Sequence, residues 1–287
     1  MKRDLLKDIR DRMPSFSKGQ RLISVYILEN YDKAAYMTAA RLGSIVNVSE
    51  STVVRFAIEL GFEGYPEFQQ SLQEIVRTRL TSFQRIEVTN SLIGDGDVLT
   101  KVLVADSDKI KHTLDEIDRD AFNGAVEDIV EARSIYVVGI RSSAYRAGFL
   151  GHSLGMIFDR VKLIEPSTGS EMFEQILNIG EGDVMIAISF PRYSKKVINA
   201  VDYAKHKGAK VIAITDSSMS PIAPQASRLL LARSDMASFV DSLVAPLSII
   251  NALVVAVSRR KQDELTERLR KLEEIWDEYD VYHKNQT

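Results

Sequence analysis

From residue 135 onward the chain repeats one pattern: a short run rich in Val and Ile, then a longer stretch with helical spacing. The runs are IYVVGI (135–140), VKLIE (161–165), DVMIAIS (183–189), KVIAIT (210–215) and RLLLA (228–232). Short continuous apolar runs of this kind suit strands covered on both faces. Helical stretches at Ala144–Phe158, Ser170–Ile179, Lys195–Lys207 and Phe239–Ser258 lie between or after them. Such alternation implies a parallel sheet with right-handed crossovers. The spacing therefore predicts an α/β domain built on five parallel strands.

The first part of the chain is of another class. Residues 1–80 read as short helices. Residues 81–97 (TSFQRIEVTNSLIGDGD) are polar and punctuated by Gly94 and Gly96, as a linker would be. Helical periodicity then returns over Val98–Ala132. The expected division is 1–80, a linker and connecting helix over 81–120, the α/β domain over 121–262, and a C-terminal helix and tail over 263–287. The tail segment Asp263–Tyr279 carries Leu265, Leu269, Leu272 and Trp276. It would pack on a domain, pack on a partner subunit or stand as a plain surface helix.

Composition removes several function classes. There is no cysteine, hence no disulfide, thiolate metal site or cysteine nucleophile. The four histidines are far apart and form no ligand-spaced pair, so no metal is expected. No cofactor is expected either. Net charge is −3, so a nucleic-acid role has to come from a local surface. The segment MKRDLLKDIRDRM lacks the apolar run of a signal peptide. The apolar stretch Leu243–Val257 is interrupted by Pro246, Ser248 and Asn251 and is too short for a bilayer. A cytoplasmic protein without a membrane partner is expected.

Within residues 1–80 the capping signals are dense. Ser17 and Gln20 have capping-box spacing ahead of a helix that turns Leu22, Tyr26, Ile27 and Tyr31, or their neighbours, inward. Thr38 caps Ala39–Val46, and Ser49 caps Glu50–Leu60, which stops at Gly61. Asn47, a residue that tolerates positive φ, sits at the tight turn between them. Leu42, Val46, Val48, Val53 and Phe56 would clamp the two helices, with Gly43 at their close approach. This is a helix-turn-helix pattern. Ser51, Thr52 and Arg55 then face outward near the start of the second helix, where a recognition helix meets the major groove. Thr38, Arg41, Ser49, Ser51, Thr52 and Arg55 are the expected DNA-binding residues. The plainer alternative makes Ser49 only a cap and Arg55 a solvated charge. Residues 1–80 hold 12 Lys and Arg against 10 Asp and Glu. Glu59 even puts an acid on the reading helix. Weak binding by one copy, remedied by a dimer on a two-part site, is the expectation.

The strings SKGQRLISVYILEN, VSESTVVRF and LGFEGYPEF resemble the N-terminal domain of the MurR/RpiR family of bacterial transcription regulators. The resemblance covers about 1–80 and resumes over about 125–260. The second part resembles the SIS (sugar isomerase) domain, a three-layer α/β sandwich that in this family senses phosphosugars.

Ligands of an open parallel sheet bind beyond the carboxyl ends of its strands. Three loops fall there: Ile140–Ala144, Ser189–Ser194 and Asp216–Pro221. The first two are Ser-rich, carry an arginine and lead into helices, whose free N–H groups attract anions. Arg141, Ser142, Ser143, Ser189, Arg192, Tyr193 and Ser194 are the expected ligand-binding residues. The plainer alternative makes these serines N-caps. The resemblance implies a first loop Gly-x-Gly-x-Ser and a second loop Ser-x-Ser-Gly-x-Thr. This chain departs from both: Arg141 and Arg192 replace glycines, and Pro191 replaces the middle serine. Two cations in place of two glycines suggest compensating contacts to a phosphate ester, or to one with a second anionic group. Alternatively Arg192 forms a structural ion pair and the pocket has lost its ligand.

The reading that follows is a regulator of carbohydrate metabolism, a homodimer or homotetramer, binding a double-stranded operator under control of a phosphosugar effector. Two competitors remain: a sugar-phosphate isomerase using Glu171, Glu174, His152 or Asp241 as base, and a constitutive DNA binder whose second domain only dimerises. No catalytic motif surrounds those four residues. Glu171 suits a helix start and His152 suits helix packing.

Overall fold

The computed structural model describes residues 5–79, 81, 84–86, 96–165, 168–235 and 241–282. Most of the expected linker, and the expected helix start at Phe239, lie outside the described residues. Two compact units emerge, one up to Gly96 and one from Asp97. No helix among the described residues is long and apolar enough to cross a membrane.

The first unit is all helical: α1 (Leu5–Arg12), α2 (Lys18–Ala34), α3 (Ala39–Val46), α4 (Glu50–Glu59) and α5 (Tyr65–Arg79). The Ser17–Gln20 capping box forms in both directions. Phe16, Ile23, Ile27, Leu42, Val53, Phe56, Leu60, Phe68 and Leu72 are the buried centre. Phe56 meets Phe16 and Phe68 edge-on, with ring centroids 5.3 and 5.8 Å apart. Such pairs add about 1 kcal/mol each beyond burial. The inward face of α2 is set by Ile23, Ile27 and Ala34; Leu22 points outward, against expectation, and is 46% exposed. Tyr26 and Tyr31 pack at the margin of the core.

The second unit begins with α6 (Val98–Glu116) and α7 (Arg119–Glu131). The periodicity of 98–132 is thus two helices. The break falls at Asp118, whose carboxylate accepts from the Asp120 and Ala121 N–H groups at 2.9 Å each. An unread N-cap is why a single stretch became two helices. There follow β1 (Ile135–Gly139), α8 (Ser142–Gly155), β2 (Val161–Ile164), α9 (Gly169–Ile176), β3 (Val184–Ile188), α10 (Lys195–His206), β4 (Lys210–Thr215), β5 (Arg228–Leu231), α11 (Val244–Arg260) and α12 (Gln262–Glu278). All five strands are parallel, in the order β2-β1-β3-β4-β5.

Alternate strand residues go to opposite faces. Val137, Ile186, Ile188, Ile212 and Ile214 pack with Ile129 of α7, Leu150 of α8 and Leu253 of α11. Tyr136, Val138, Met185, Ala187, Val211 and Ala213 pack with Ile176 of α9 and Val201 of α10. Helices cover both faces, which makes three layers. The chain moves outward from β1 to β2 and returns to β3 on β1's other side. The order reverses between β1 and β3, which is where such sheets open a crevice.

Candidate functional site

The turn between α3 and α4 has the geometry its residues predict. Asn47 is left-handed, at φ 57° and ψ 49°. Thr38 caps α3 by accepting the Arg41 N–H at 3.2 Å, and Arg41 is exposed. Ser49 caps α4 by accepting the Thr52 N–H at 3.3 Å. Its hydroxyl also lies 2.9 Å from Ser51 Oγ and 2.8 Å from Thr52 Oγ1. The start of α4 is therefore a cluster of three hydroxyls. Ser49 is both a cap and a member of that cluster. Arg55 stands one turn on, exposed, its Nε donating to the Ser51 carbonyl at 3.2 Å. Glu59 sits at the far end of α4, about 15 Å along the axis. Its carboxylate accepts from Gln20 Nε2 at 3.3 Å, so the acid ties α4 to α2 away from the hydroxyl cluster.

In the second unit, Gly139 ends β1 where a Cβ would stand 2.5 Å from the Ser143 carbonyl oxygen. Only glycine lets the chain turn this tightly. Arg141 follows at φ 60° and ψ −126°, a conformation that glycine adopts freely and other residues rarely. It is exposed, and no side-chain bond caps α8. Ser142 is exposed and Ser143 buried. After β3, Ser189 is buried, its N–H donating to the Ile214 carbonyl at 3.1 Å. Arg192 is exposed. Tyr193 donates to Asp216 Oδ1 at 2.9 Å, joining this loop to the one after β4. Ser194 begins α10 but makes no cap bond. The serines of these two loops are thus not explained as caps: neither Arg141 nor Ser194, the residues flanking the helix starts, donates or accepts as one.

Pattern reading passed over Arg146. It lies on the inner face of α8, in line with Leu150 and Leu154, and is 2% exposed. Its guanidinium stacks on the Phe190 ring at 4.5 Å and donates to Ser143 Oγ at 3.3 Å. Burial pushes its pKa down to about 10, against a favourable pull from Asp241. A cation in an otherwise apolar stripe was the available signal. The four candidate bases lie on α8, on α9 and ahead of α11, outside the two loops. Glu171 closes a capping box with Thr168, Glu174 is exposed on α9, and Asp241 lies ahead of α11. His152 is exposed on α8, so helix packing does not account for it.

Residues 3–78 match the profile of the helix-turn-helix domain, rpiR family. Residues 128–256 match that of the SIS domain.

The chain thus carries a helix-turn-helix domain of the rpiR family and a SIS domain.

Two relatives run nearly its whole length. The HTH-type transcriptional regulator HexR of Escherichia coli is 25% identical over 278 residues, covering 94% of this chain and 93% of its own. HexR of Pseudomonas aeruginosa is 26% identical over 287 residues, covering 95% of each. The fold is that of the Vibrio vulnificus NanR protein, solved with ManNAc-6P: TM-score 0.61, 24% identity, 98% of this chain and 100% of that one. The sugar isomerase domain of an RpiR transcription factor from Sphaerobacter thermophilus aligns at TM-score 0.58 and 28% identity, over 61% of this chain and 97% of that one. The chain pairs an rpiR-family helix-turn-helix domain with a SIS domain.

Proposed function

We propose that this chain is an rpiR-family regulator that binds a double-stranded operator through Thr38, Arg41, Ser49, Ser51, Thr52 and Arg55, and that a phosphorylated sugar alters that binding. The sugar phosphate sits beyond the carboxyl ends of β1 and β3, against Arg141, Ser142, Ser143, Ser189, Arg192, Tyr193 and Ser194. One observation carries this reading. At the switch point of the sheet, two loops place serines and arginines that helix capping does not use, on a chain whose other unit is a helix-turn-helix. The ManNAc-6P in the Vibrio vulnificus structure of the same fold supports the ligand class.

The chain works without catalysis, in the cytoplasm, as a dimer or tetramer. Leu99, Leu103, Val104 and Leu114 of α6 stand exposed, which supports self-association. Coupling requires that the effector bind two arrangements of the chain unequally. The test is operator binding by fluorescence anisotropy, with DNA from the gene's own upstream region and a panel of phosphosugars. The expected result is a shift of DNA affinity with one phosphosugar. DNA binding indifferent to all of them favours a constitutive binder. No DNA binding at any salt, together with turnover of a sugar phosphate, overturns the proposal in favour of an isomerase.

A further inference from the structure

Arg146 is the near end of a run of polar contacts that leads out of the candidate anion site. Nη1 donates to Ser143 Oγ, and Nη2 donates to the Ser242 carbonyl at 3.3 Å. The Ser242 hydroxyl donates to Asp106 Oδ1 at 2.7 Å, and Lys109 Nζ donates to that same oxygen at 3.3 Å. Ser234 Oγ supports the Ser242 carbonyl at 3.0 Å. Ser143, Arg146, Lys109, Ser234 and Ser242 are all buried. Arg146 Nε is buried with no hydrogen-bond partner.

Stability does not account for this run. Apolar side chains of similar volume would pack at least as well as a buried cation and its polar chain. An orphaned Nε adds a further cost. The placement is informative instead. Ser143 lies in the first turn of α8, and Phe190 lies between Ser189 and Arg192, so Arg146 touches both loops of the candidate site. Asp106 and Lys109 lie on α6, the first helix after the segment that leads from the DNA-binding unit. One guanidinium is shared between the anion loops and the Ser242 carbonyl. An anion drawing on Ser143 and on the guanidinium competes directly with Ser242. Coupling needs an element with two arrangements, and a guanidinium shared between two acceptors is a candidate for one.

We infer that Arg146 positions the anion site through Ser143 and Phe190, and that the run Ser143–Arg146–Ser242–Asp106–Lys109 carries occupancy of that site to α6. The inference rests on the phosphosugar reading and adds its route.

Hydrogen exchange on the full-length chain, with inorganic phosphate as probe, tests it. In the wild-type chain phosphate changes exchange at 142–147 and across 98–116. In Asp106→Asn the change at 142–147 persists and the change across 98–116 is lost. Arg146→Lys, which keeps the charge but not the fork that holds Ser143, weakens phosphate binding about tenfold, the order expected for loss of one hydrogen bond involving a charged group. A melting curve confirms that each variant is folded. Persistence of the response across 98–116 in Asp106→Asn overturns the relay, as does a wild-type response confined to 142–147; the phosphosugar reading survives both. Phosphate binding unaltered in Arg146→Lys removes the positioning role. No response anywhere in the wild-type chain defeats the phosphosugar reading and the relay with it.

Discussion

The Val48 N–H donates to the Gly43 carbonyl at 2.9 Å, and a Cβ on Gly43 would stand 2.8 Å from the Val48 carbonyl oxygen. That oxygen is backbone and cannot swing aside. Gly43→Ala therefore pushes α3 away from the turn and from α4. The expected cost is about 1–3 kcal/mol, with amide protection lost over 39–60 and operator affinity falling with it. Unchanged exchange across both helices would show that the turn tolerates the methyl.

Arg141 holds a glycine conformation, at φ 60° and ψ −126°. For a residue with a Cβ this costs about 1–3 kcal/mol, a strain that persists where function repays it. Arg141→Gly should raise the melting temperature while weakening phosphosugar binding. If the variant gains stability and loses no affinity, Arg141 lies outside the ligand site.

How much of this could be read beforehand follows from where the information sits. Asn47, Thr38 and Ser49 act through their own backbone neighbours, so their roles at the turn and caps were legible. The five strands were legible because each is a short apolar run between turn residues. Arg146 was not, because its burial is decided by Phe190 and Ser242, residues 44 and 96 positions away. Its alignment with Leu150 and Leu154 was visible, but a charged residue on that face reads as an exposed edge until the partners are known. The same holds for Tyr193, assigned to ligand binding by its loop, whose hydroxyl reaches across to Asp216.

Asp183 supplies a pH dependence. It is buried, and burial by itself would raise its pKa. Hydrogen bonds from Arg133 at 2.9 and 2.7 Å and from the Gly180 N–H at 2.9 Å outweigh that and hold it below the usual carboxylate range. A carboxyl lowered by folding contributes its full stability above its unfolded value, about 3.9, and loses it as pH falls through the folded value. Asp183→Asn should cost about 1–3 kcal/mol at pH 7. Urea melts below about pH 4 should then bring the variant and the wild type together. A gap that stays constant through that range would assign the loss to packing and not to charge.

Arg55 gives the sharpest test of the proposed DNA-binding face. It is exposed one turn into α4, beside the Ser49, Ser51 and Thr52 hydroxyls, and its guanidinium is engaged with the Ser51 carbonyl through Nε. That contact leaves its terminal nitrogens to meet a phosphate or a guanine. A phosphate contact and a base contact predict different losses. If Arg55 meets a phosphate, Arg55→Ala weakens binding to all sequences alike and lowers the slope of log affinity against log salt by about one. If it meets a guanine, the loss is about 1–3 kcal/mol on the operator and small on unrelated DNA. The anisotropy titration at four or more salt concentrations, on operator and on scrambled duplex, separates the two. Affinity and slope both unchanged would remove Arg55 from the interface and leave the hydroxyl cluster to read the groove.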